Sequence, residues 1–156
     1  MRPALAALIP LAAASPACSS GTFREPMTIT DVIENIDRLN GRTVRVAGYL
    51  GTCFGYECRL FRNPAEKARW DRWIEQLMTM PESGRRQLPP FEEPPILGIG
   101  MGDRNDFDAR AERFANSYVV ITGRVTNACR YRGLPACTDR TTDLEPTGIA
   151  SWSGHP

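Results

Sequence analysis

Thr43-Val44-Arg45-Val46-Ala47-Gly48-Tyr49-Leu50 alternates with a period of two: Val44, Val46, Gly48 and Leu50 share one side, and Arg45, Ala47 and Tyr49 the other. That is the signature of a strand with one face in a core. Gly48 in its middle predicts a bend or bulge of the kind that lets a small sheet curl. Tyr118–Val125 (Tyr-Val-Val-Ile-Thr-Gly-Arg-Val) echoes this stretch, and a last strand is expected over Leu144–Ser151, with Pro146 placing it at an edge. Ahead of the first strand, Val32, Ile33, Ile36 and Leu39 fall at helical spacing behind a cap at Thr30 or Asp31, and Asn40-Gly41 ends that helix. Behind it, a turn near Phe54-Gly55 leads to a short strand over 57–62.

Asn63-Pro64-Ala65-Glu66 then opens a longer helix over 63–80, with a cap, a proline at the first position and a glutamate three after the cap. Its apolar stripe, Trp70, Trp73, Ile74, Leu77 and Met78, is expected to pack in the core, and Pro81 stops it. Residues 81–95 hold Pro81, Pro89, Pro90, Pro94 and Pro95, hence a long irregular loop. A third strand is expected over 96–101, and a short helix over 106–115 with Phe107, Ala111 and Phe114 on one side.

Gly41-Arg-Thr-Val-Arg-Val-Ala-Gly-Tyr-Leu50 and Tyr118-Val-Val-Ile-Thr-Gly-Arg-Val125 carry the patterns G-x-x-V-x-V-x-G and V-x-I-x-G-x-V. In these the chain resembles an OB-fold-like domain of small bacterial exported proteins and lipoproteins. The resemblance implies a mainly β fold with helices (α+β): a small five-stranded OB-like barrel over 27–152, with an N-terminal helix and a helical, proline-rich insertion. The 106–115 helix would be the one usual between the third and fourth strands. If the 63–80 helix fills that role instead, the strand numbering changes. OB folds flank their ligand face with two loops, which here would be 51–56 and 127–138.

Met1-Arg2-Pro3, an apolar run over 4–14 and Ser15-Pro16-Ala17 have the three parts of a secretory leader. The expectation is a signal peptide over 1–17, cleaved before Cys18, and a polar, flexible tether over 18–26. A disordered tail is expected over 153–156. Cys18 resembles the acylated cysteine of a lipoprotein, although Ser15 and Pro16 depart from the usual lipobox. Taking it as a lipid site leaves four of the five cysteines for pairing in an oxidising compartment. The expected place is therefore the periplasm, or the membrane surface of a bacterial cell envelope through a lipid. Of 19 basic residues only Lys67 is a lysine, and losing Arg2 leaves 18 against 18 acidic ones. That balance argues against bulk nucleic-acid binding.

Cys53 and Cys58, and Cys129 and Cys137, are expected to form two local disulfides, with cross-pairing open and a four-thiolate zinc site as the weaker alternative. No cofactor or metal is expected. His155, the only histidine, sits in a terminal Ser-Gly-His-Pro tail. Glu92, Glu93, Asp103, Asp106 and Asp108 suit solvated positions, the last three around a helix start. Gly98, Gly100 and Gly102 lack the offsets of a phosphate loop and suit close packing against an aromatic ring.

The expected contact surface is the pair of loop tips, with Phe54, Tyr56, Arg130, Tyr131 and Arg132, and with Arg45, Tyr49 and Arg59 on the adjoining strands. Aromatic and arginine side chains carry most interface energy. The function these residues point to is a non-catalytic envelope binding module for a protein or small ligand. A hydrolase using carboxylates such as Glu92, Asp103 or Asp106, and a structural envelope protein, are the alternatives. No motif assembles nucleophile, base and oxyanion donors.

Overall fold

The computed structural model describes residues 25–55, 57–79, 98–102, 106–128 and 143–154. Five strands form one antiparallel sheet: β1 (Thr43–Leu50), β2 (Arg59–Phe61), β3 (Ile99–Gly100), β4 (Tyr118–Val125) and β5 (Leu144–Ser151), in the order β3-β2-β1-β4-β5. The helices among the described residues are α1 (Ile29–Glu34), α2 (Ile36–Leu39), α3 (Pro64–Thr79) and α4 (Phe107–Ala111), the last continued by a 3₁₀ turn over Glu112–Phe114. The fold is thus α+β, as expected, and β1, β4 and β5 have the predicted bounds. The predicted second strand, 57–62, shrinks to three residues; of the predicted third, 96–101, residues 96–97 lie outside the described residues and β3 spans two.

The inward side of β1 is Val46, Gly48 and Leu50, against Val119, Ile121 and Val125 of β4. Gly48 is inward because nothing larger fits. A Cβ there would lie 2.6 Å from Ile29 and 2.8 Å from Leu60, so the bare backbone lets α1 and β2 close onto β1. A register shift between Thr122 and Gly123 of β4 against β5 adds a bulge, which increases twist. The two edge strands also touch. Met101, just after β3, bridges Leu144 at the start of β5 in parallel. The Asp143 amide donates to the Gly100 carbonyl (2.9 Å) and the Gly102 amide to the Leu144 carbonyl (3.0 Å). The buried Asp143 carboxylate accepts the Gly100 amide at 3.0 Å.

The N-terminal helix begins earlier than expected. Thr28, not Thr30 or Asp31, is the cap, and its hydroxyl accepts the Asp31 amide while the Asp31 carboxylate accepts the Thr28 amide. The Thr28 hydroxyl and amide hold the Asp31 carboxyl below the usual carboxylate range. The reciprocal cap is therefore present at neutral pH and is lost as acid protonates Asp31. Asn35 splits the helix in two, and its side-chain amide bonds back to the Asp31 carbonyl at 2.8 Å. Ile29, Val32, Ile36 and Leu39 still reach the core.

The core is closed by α4, not by the tryptophan-bearing helix. Phe107 and Ala111 are buried with Leu60, Ile99, Met101 and Leu144. In α3 the only buried residue among those described is Glu66; Trp70, Trp73 and Ile74 are half-buried, and Met78 is 73 % exposed. The expectation that the stripe packs in the core is corrected: helical spacing shows that α3 has an apolar face, but that face lies outside the main core. The N-terminus of α3 is as expected, with the Asn63 side chain accepting the Glu66 amide at 2.9 Å.

Candidate functional site

The β1–β2 hairpin continues past its strands into a narrow turn. The Gly51 amide donates to the Arg59 carbonyl at 3.0 Å, and Phe54 and Glu57 exchange two backbone bonds of 2.8 and 3.0 Å. Between these rungs Cys53 and Cys58 are joined as a disulfide, the first of the two expected pairings. Gly55, at φ 58°, supplies the left-handed residue that the tight turn requires. Both cysteines are buried, yet Phe54 beside them is 83 % exposed. A ring of this size is held out in water on a turn fixed by two backbone bonds and a covalent bridge.

Reduction of this bridge is expected to cost about 2 kcal/mol, because the ring it closes is short. Thermal denaturation with and without a phosphine reductant measures it, read against Cys53→Ser/Cys58→Ser to isolate this bridge. Asp108 of α4 brings a carboxylate within 4.8 Å of both sulfurs. With the sulfurs bonded to each other they are not thiolates, so the trio is not a metal donor set in this state.

Arg59 projects from β2 to the opposite side from the core and lays its guanidinium over Trp70 of α3, 4.4 Å from the ring centroid. Trp70 in turn packs on Trp73 at 4.9 Å between centroids. A cation on an indole face is a favourable pairing, and here it attaches α3 to the hairpin just below the turn. Lys67 and Asp71 pair along α3 at 2.7 Å. The space enclosed with Gly51, Thr52 and Glu57 is about 30 Å³, room for a water molecule or two.

The expected contact surface is brought together only in part. Phe54 and Arg59 share the hairpin. Tyr49 lies on the outer side of β1, edge-on to Tyr118 at 5.3 Å. Arg45 is elsewhere: it stands five residues before the end of β1, about 16 Å along the strand from Leu50, in a groove with Arg38 and Arg42. Tyr56, Arg130, Tyr131, Arg132, Cys129 and Cys137 lie outside the described residues, as do Cys18, Glu92, Asp103 and His155. Asp106, one of the hydrolase candidates, is an exposed residue at φ 54° just before α4.

Two arrangements have no counterpart in the expectations. One is the buried Glu66 carboxylate, which accepts the Arg62 amide at 2.5 Å, the Arg62 guanidinium and the Gly98 amide at 3.3 Å. Arg62 then donates to the Thr30 hydroxyl at 2.9 Å, tying α3, β2, the approach to β3 and α1 at one point. The other is the arginine groove. Its one sequence signal is the four-residue spacing of Arg38 and Arg42 around a helix end. No described helix is long and apolar enough to cross a membrane. Compared with known proteins, the chain matches no family model, no curated protein and no solved structure.

Proposed function

We propose that this protein is a non-catalytic binding module of a bacterial cell envelope that holds a partner protein through the stapled turn carrying Phe54. The observation that supports it most is the exposure of that ring, 83 %, on a turn closed by the Cys53–Cys58 bridge. An aromatic side chain presented on a rigid support loses little conformational freedom on docking, which is what makes such residues energetic anchors. Arg59 on Trp70 stiffens the base of the same hairpin. The scaffold we assign is an OB-like barrel: the strand order, the close packing of α1 and β2 over Gly48, α4 between β3 and β4, and the parallel contact between Met101 and Leu144 all suit it. Export is proposed from the leader-like residues 1–17 and from a disulfide that suits an oxidising compartment. Cys18 is proposed as the lipid attachment point.

Phe54→Ala tests the contact directly. It is expected to leave the thermal midpoint nearly unchanged, since the ring touches little, and to weaken retention of the envelope partner at least tenfold. Cross-linking through a photoreactive phenylalanine at position 54 identifies that partner. Retention unchanged in Phe54→Ala, with no cross-link at 54, refutes the role of the turn.

A further inference from the structure

Away from the turn, an open groove of about 740 Å³ runs between α2, the start of β1 and the N-terminal segment. Arg38, Arg42 and Arg45 line it together with the hydroxyl-bearing Thr43 and Thr122, and Glu25 is the one carboxylate among its described lining residues. These described residues bring three guanidinium groups and one carboxylate together on a chain whose overall charge is close to zero. Two acids on flanking elements have partners among the described residues. Glu145 accepts two bonds from Arg124 (3.0 and 2.7 Å), and Asp37 accepts the Asn127 side chain at 2.9 Å.

The arginines are carried on pinned backbone. Arg42 bonds the Leu39 carbonyl (2.8 Å) and accepts the Val125 amide (2.9 Å), while the Arg45 carbonyl accepts the Met27 amide at 2.8 Å. Arg38 spends one donor on the Asn35 side chain at 3.1 Å, and a guanidinium has five.

We infer that this groove is a binding site for a soluble organic phosphate monoester. Guanidinium forks and hydroxyls are the donors that recognise a phosphate's oxygens. A phosphate ester carries about −1.5 to −2 at neutral pH, a charge that a guanidinium-rich groove attracts. The volume lies in the range of small-molecule sites and exceeds what an inorganic ion fills. Leu39 and Val44 supply apolar lining for the organic part. The site is independent of the Phe54 turn, so either can fail without the other.

Calorimetric titration of the full chain with phenyl phosphate tests it, with inorganic phosphate, phenol and phosphatidylglycerol vesicles as parallel arms. Saturable one-to-one binding of phenyl phosphate is expected, tighter than inorganic phosphate and weakened by salt. Arg42→Gln and Arg45→Gln are each expected to lower the affinity at least tenfold, and Glu25→Gln to raise it several-fold. Phe54→Ala is expected to leave it unchanged. If Arg45→Gln does not fold, the exposed pair Arg38→Gln/Arg42→Gln takes its place. The proposal is overturned by an absence of saturable binding at millimolar concentration, by equal affinity in the arginine variants, by equal affinity for inorganic phosphate, or by binding confined to the vesicles.

Discussion

Glu66→Ala is expected to destabilise the fold by about 3–5 kcal/mol, the cost of breaking a buried charged pair from one side. The carboxylate is 1 % exposed and accepts from two backbone amides, those of Arg62 and Gly98, as well as from the Arg62 guanidinium. Truncation leaves those amides without the acceptor they share, and each buried donor so stranded costs about 1–3 kcal/mol. It also frees Arg62 to solvent and loosens its bond to Thr30. Glu66→Gln keeps one acceptor oxygen and is expected to cost less than half as much. Arg62→Ala falls between the two, because its side chain is partly exposed. Urea denaturation of the three variants orders them, and a loss under about 1 kcal/mol in Glu66→Ala would mean the network holds nothing together.

Glu66 also shows where a sequence stops being informative. Its place three residues after Asn63 is legible as a helix start, and the Asn63 cap does form. What the carboxylate does instead of closing the capping box depends on Gly98, 32 residues away, and no local spacing encodes that. The long strands were legible, β1 because its alternation leaves one choice of face and β4 because it echoes the β1 pattern. The short ones were not. In β2, Leu60 and Phe61 are adjacent and both buried, so its three residues show no alternation to read. The candidate surface divides in the same way. Phe54, Gly55 and the two cysteines are contiguous, so the stapled turn could be anticipated. Alternation places Arg45 on the outward face it shares with Tyr49. Strand length then carries it to the far end, where the helix end brings Arg38 and Arg42 beside it.

Mutation separates the roles of α3 and α4. Phe107→Ala in α4 is expected to cost about 3–5 kcal/mol, the usual loss for a fully buried aromatic ring whose cavity cannot collapse. Its ring has no exposure and belongs to the same core cluster as Leu60, Ile99, Met101 and Leu144, so its loss opens a void inside that core. Trp73→Ala in α3 removes a larger side chain and is nonetheless expected to cost about 1 kcal/mol, because that ring is half-buried and outside the main core. Size alone predicts the reverse order. α4 spans five residues, too few to be stable by itself, so what holds it in place is the burial of Phe107 and Ala111 against the sheet. Denaturation midpoints of the two variants under one set of conditions settle the order. A larger loss in Trp73→Ala would make α3 the helix that closes the core, leave α4 an accessory turn, and remove the argument for an OB-like arrangement of the strands.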